Sequence, residues 1–80
     1  MRELMSLDLV KSGSRVIIKE IQQIRGIGGR LYRIGILPGT ELEVIVNNGR
    51  GPIVVKVKDT EVALGRGLAR KILVEVLNNA

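Results

Sequence analysis

Valine, isoleucine and leucine in this chain gather into short runs, over 15–21, 41–46, 52–58, 61–64 and 72–76, separated by glycine, proline, asparagine and aspartate. β-Branched residues pack well on a pleated surface, and runs this brief suit strands better than helices. The pattern therefore reads as five strands. Strands so closely spaced in 80 residues predict a mainly β fold, and closing them into a small barrel removes the edges an open sheet would expose. Two or three short helical turns fill the remaining gaps. The length suits one domain over 1–80.

The connections carry distinct chemistry. Ser6 to Val10, ahead of Lys11 to Gly13, reads as a single turn or short helix, capped by Ser6 and closed by glycine, that lids one barrel end. The glycine-rich stretch Arg25 to Arg30 breaks the strand pattern, and Leu31, Ile34 and Tyr32 then recur at helical spacing until Gly35 stops a helix of two turns at most. Leu37 to Gly39 signals a type II turn, with Pro38 fixing φ at the first central position and Gly39 taking positive φ at the second. Glu41 and Glu43 alternate with Leu42 and Val44, as in a strand with one wet face and one buried face. Asn47 to Gly51 reads as a hairpin connection, because Asn-Gly takes positive φ readily at successive positions. Pro52 opens the returning strand, Asp59 and Thr60 form another tight turn, and Gly65 to Lys71 supplies one helical turn. Asn78 to Ala80 is expected to fray.

Catalytic chemistry has few candidates. Histidine and cysteine are absent, which removes the commonest general base, the imidazole and thiolate metal ligands, and any disulfide. Ser6, Ser12 and Ser14 have no activating base beside them and read as cap and turn residues. Glu41 and Glu43 share a strand face and would hold a hard cation only weakly, since such a site wants more converging oxygens. The glycines of 26–31 lack the third glycine of a dinucleotide fingerprint, and no Gly-Lys-Ser/Thr follows for a phosphate loop. The expectation is a non-enzyme with no catalytic residue, no cofactor and no metal site. The opening stretch carries Arg2, Glu3 and Asp8 without a long apolar run, so neither a signal peptide nor a membrane span is expected.

The formal charge is +5, and the excess sits in two segments. Ile21 to Thr40 holds Arg25, Arg30 and Arg33 with no acid, and Val62 to Val74 holds Arg66, Arg70 and Lys71 with no acid. Such clusters suit a solvated face, an acidic protein surface or a nucleic acid. Small barrels that bind nucleic acid add aromatic stacking platforms, and here Tyr32 is the sole aromatic. Nucleic acid is therefore the weaker alternative.

The stretch 28–40, Gly-Gly-Arg-Leu-Tyr-Arg-Ile-Gly-Ile-Leu-Pro-Gly-Thr, resembles the signature of the ferrous iron transport protein A (FeoA) family. The similarity continues through Gly51-Pro52, the Val-Lys-Val strand, Glu61 to Leu64 and Ala69 to Ile72, and so spans about 7–76. Ile34 and Ile36 stand where leucine is usual, and Gly65-Arg-Gly67 is richer in glycine than the family pattern. The resemblance implies an SH3-like barrel and an accessory role in bacterial ferrous iron uptake, in the cytoplasm or at the inner membrane through a partner. That implied partner is the membrane GTPase transporter FeoB. Transition metal binding is a family-level association for which this chain lacks thiolate and imidazole donors. The motif residues are Leu31, Ile34, Gly35, Ile36, Pro38 and Gly39, and the expected partner-facing residues are Arg25, Arg30, Tyr32 and Arg33. The SH3-like domain of iron-dependent repressors shares the implied architecture, but a repressor needs a helix-turn-helix for which the chain has no room. An exposed edge strand would also permit a weak homodimer.

Overall fold

The computed structural model describes residues 4–22 and 28–78. In chain order the elements are β1 (Leu4–Ser6), a 3-10 turn (Leu7–Leu9), β2 (Arg15–Ile21), α1 (Gly28–Arg33), β3 (Glu41–Val46), β4 (Ile53–Val57), β5 (Thr60–Leu64), α2 (Arg66–Ala69) and β6 (Ile72–Asn78). All strands join one antiparallel sheet in the order β1-β6-β2-β3-β4-β5.

Alternation along each strand decides the inner face. Val16 and Ile18 of β2, Leu42 and Val44 of β3, Ile53, Val55 and Val57 of β4, and Ile72 and Val74 of β6 are all buried. Register irregularities between β2 and β6 and between β3 and β4 add local twist and bend, which curls a sheet around its own contents. Leu7 and Val10 close one end from the 3-10 turn, and Ala69 packs in from α2. The core is aliphatic throughout.

Several boundaries differ from the sequence expectation. Among the described residues there are six strands rather than five. The additional one, β1, has only three residues and owes its extended state to pairing of Leu4 with Glu75, Met5 with Val74 and Ser6 with Leu73. The 3-10 turn does form over the expected segment, but it ends at Val10 rather than at Gly13, and the Ser6 side chain makes no capping bond. The 47–52 connection is not an Asn-Gly turn with successive positive φ. Only Gly49 and Gly51 take positive φ there, and Asn48, the partner of Gly49 in the Asn-Gly pair, does not. The next hairpin turns on Lys58 and Asp59, one residue earlier than expected, so Thr60 begins β5. β6 runs on to Asn78, which pairs with Arg15 instead of fraying. The remaining strands and both short helices lie where the apolar runs placed them, with β2 and β3 matching to the residue.

Candidate functional site

The signature stretch folds as α1 and a turn, and its residues divide cleanly by direction. Leu31 and Ile36 are buried in the core, and Ile34 packs against it partly covered. The end of α1 is a Schellman motif: the Ile36 amide donates to the Leu31 carbonyl at 2.9 Å and the Gly35 amide to the Tyr32 carbonyl at 3.0 Å. Gly35 has φ +87, the left-handed conformation this closure demands and glycine accepts without a Cβ clash. The apolar pair that usually accompanies the motif is Leu31 with Ile36, so one helical turn both terminates and docks the helix.

The turn that follows is type II in its hydrogen bond and its glycine. Thr40 N–H donates to Leu37 carbonyl at 3.0 Å, and Gly39 has φ +92. Gly39 N–H also donates to Ile18 carbonyl at 2.7 Å and Ile18 N–H to Thr40 carbonyl at 2.9 Å, fastening the turn to β2. Pro38 is exposed at the turn's corner. Together these bonds hold α1 against the barrel and present its other face outward.

That outward face carries Arg30, Tyr32 and Arg33, all exposed, with Tyr32 at 70%. No acidic residue lies in α1 or its flanking turn from 28 to 40. The helix offers two exposed guanidinium groups and one exposed aromatic ring, which can pair with carboxylates and bury an apolar edge at once. Arg25, the fourth expected partner residue, falls outside the described residues.

The second basic segment behaves differently. Arg66 donates from Nη1 to Asp8 carbonyl at 3.0 Å and from Nη2 to Asn47 Oδ1 at 2.7 Å. Asn47 Nδ2 in turn donates to the carbonyls of Asp8 at 2.9 Å and Val10 at 2.7 Å. Arg70 Nε lies 3.7 Å from Asp8 Oδ2. Arg66 thereby braces the 3-10 turn, the end of β3 and α2 against one another, while Arg70 adds an exposed ion pair to the turn. Ser12 joins the same brace, its Oγ accepting from Asn47 N–H at 2.7 Å. Read locally, Asn47 is a turn residue and Arg66 a surface charge, and the local sequence contains no sign of the carbonyls they meet.

Glu41 and Glu43 each lie beside a cation. Arg15 Nη2 lies 3.1 Å from Glu41 Oε1, and Glu43 sits in register between Arg15 and Lys56. Among the described residues no three acidic side chains come together to hold a metal ion.

A family model for the FeoA domain matches residues 5–76. The chain is also 44% identical over 69 residues to a Fe(2+) transport protein A of Methanocaldococcus jannaschii, covering 86% of this chain and 83% of that one. The chain belongs to the FeoA family. Among solved structures, the crystal structure of an iron uptake regulatory protein, FeoA, superposes on this FeoA-family chain with a TM-score of 0.86 at 27% identity, covering 94% of this chain and all of the other. The zinc-complexed FeoA of Stenotrophomonas maltophilia, an SH3 domain protein, matches with a TM-score of 0.81 at 23% identity over 95% of this chain and 99% of that one. The SH3-like fold expected from the signature is thus the fold observed. No helix among the described residues is long and apolar enough to cross a membrane.

Proposed function

We propose that this FeoA-family chain is a non-enzymatic accessory of ferrous iron uptake that docks on the membrane GTPase transporter FeoB and modulates it through protein contact. The iron is the transporter's cargo and does not reside on this chain. The observation that carries the reading is the acid-free face of α1, where Arg30, Tyr32 and Arg33 stand exposed on a helix locked by Leu31, Gly35 and Ile36. A basic patch with one aromatic on a helix whose backbone is fixed suits an acidic protein surface, because little backbone freedom is lost on binding. The nucleic-acid alternative loses support, since Arg66 of the second basic cluster is committed to internal hydrogen bonds and Tyr32 is the sole aromatic.

Isothermal titration of the chain into detergent-solubilised FeoB of the same organism, with and without GTP, tests the reading. Saturable binding that is abolished by Arg30→Glu together with Arg33→Glu is the expected result. Binding that survives the double reversal removes this face from the interface, and no binding in either nucleotide state overturns the reading.

A further inference from the structure

A row of alternating charge runs across the outer face of the sheet. Arg15 on β2 lies opposite Glu43 on β3, Glu43 opposite Lys56 on β4, and Lys56 opposite Glu61 on β5. Directly opposed side chains of unlike charge support strand pairing. The row stops at Glu61 because β5 is the last strand of the sheet.

The edge that β5 presents is regular. Its five residues pair with β4 without a register shift, and it contains neither proline nor lysine, the usual devices that blunt an edge. Val57 and Thr60 close a two-residue connection, so hydrogen-bonded and non-bonded pairs alternate from there. Thr60, Val62 and Leu64 therefore spend their amides and carbonyls on β4, while Glu61 and Ala63 aim theirs away from it. Beyond the strand ladder, no backbone hydrogen bond among the described residues involves Thr60 to Leu64. The side chains of Glu61 and Ala63 are both exposed.

We propose that the free edge of β5 accepts an extended segment of a partner protein as a seventh strand, with a lysine or arginine opposite Glu61 and an aliphatic residue opposite Ala63. The cation continues the alternating row, and the aliphatic residue covers the Ala63 and Val54 pair. A second copy of this chain fits poorly: two-fold pairing of β5 about Val62 sets Ala63 opposite Glu61, and pairing about Glu61 opposes two carboxylates. The inference goes beyond the transporter reading and does not rest on it.

The test uses the full chain, labelled with ¹⁵N, and two blocked hexapeptides at millimolar concentration, Val-Val-Lys-Val-Val-Thr, which sets valine opposite Ala63 in either strand direction, and the same peptide with glutamate in place of lysine. The expected result is amide shift changes centred on Glu61 and Ala63, smaller changes at Thr60, Val62 and Leu64, and roughly threefold tighter binding of the lysine peptide. Glu61→Lys should reverse the peptide preference, and Ala63→Pro, which removes an outward N–H only, should abolish binding while far-ultraviolet circular dichroism stays unchanged. Equal binding of the two peptides, shifts confined to other strands, or a Glu61→Lys chain with unaltered preference overturns the proposal. A concentration-dependent dimer in sedimentation that protects the same two amides would assign the edge to a second copy and also overturn it.

Discussion

Arg66 Nη2 donates to Asn47 Oδ1 at 2.7 Å, and this bond ties α2 to the end of β3. The same asparagine reaches the carbonyls of Asp8 and Val10 with its Nδ2, so one amide group organises three segments remote in sequence. A charge-assisted bond and two carbonyl contacts in a part-buried setting contribute more than a surface pair. Asn47→Ala should cost about 2–3 kcal/mol and lower the thermal midpoint by roughly 10 °C or more. Arg15→Gln, which breaks the exposed pair with Glu41, should change stability by under about 0.5 kcal/mol. Thermal denaturation of both variants checks the contrast, and equal losses would show that the brace contributes no more than surface charge.

Gly39 is required for its backbone alone. A Cβ built there meets nothing within 4 Å, yet φ is +92, a region that L side chains rarely adopt. Gly39→Ala should therefore destabilise by about 1 kcal/mol or somewhat more, with strain the sole cause. A chemical denaturation midpoint unchanged from the parent would contradict the turn geometry.

Lys58 is the one described residue other than glycine with positive φ, at +56. Holding an L residue there costs roughly 1–2 kcal/mol, partly offset in glycine by its greater unfolded freedom. Lys58→Gly should raise stability by about 0.5–1 kcal/mol and leave the β4–β5 register intact. Denaturant titration together with amide shifts of Val57 and Thr60 would detect either a failure to stabilise or a slipped hairpin.

The sequence disclosed those parts of the fold that depend on neighbours along the chain. β2 and β3 could be placed to the residue because β-branched density and alternation are local properties. The stop of α1 at Gly35 was legible for the same reason, since a glycine directly after a helically spaced apolar set is a local signal. β1 was invisible, since three residues carry no periodicity and extend only because β6 is there to pair with them. The Arg66 brace was equally hidden, because its acceptor carbonyl on Asp8 is 58 residues away. Charge can be counted in a sequence, but whether a guanidinium is free or occupied depends on which carbonyls the fold delivers to it. That distinction separates the two basic segments, which composition alone made look alike.

Leu31 and Tyr32 are adjacent on one short helix, and the structure separates their roles. Leu31 is 2% exposed and Tyr32 70% exposed. Truncating a buried leucine removes its transfer energy and leaves a cavity, so Leu31→Ala should cost about 2–4 kcal/mol. That loss would free α1 from the barrel and weaken any interface built on it indirectly. Tyr32→Ala removes a ring that stands in solvent and should shift stability by under about 0.5 kcal/mol. Its effect should be on association instead, since an exposed aromatic between two arginines is the type of residue that dominates protein interfaces. Thermal melts paired with titration against solubilised FeoB distinguish the two: Leu31→Ala should lose stability first, and Tyr32→Ala should keep its melting midpoint while its affinity falls about tenfold or more. If Tyr32→Ala binds as tightly as the parent chain, the ring is a solvated bystander and the contact must lie on another face of the barrel.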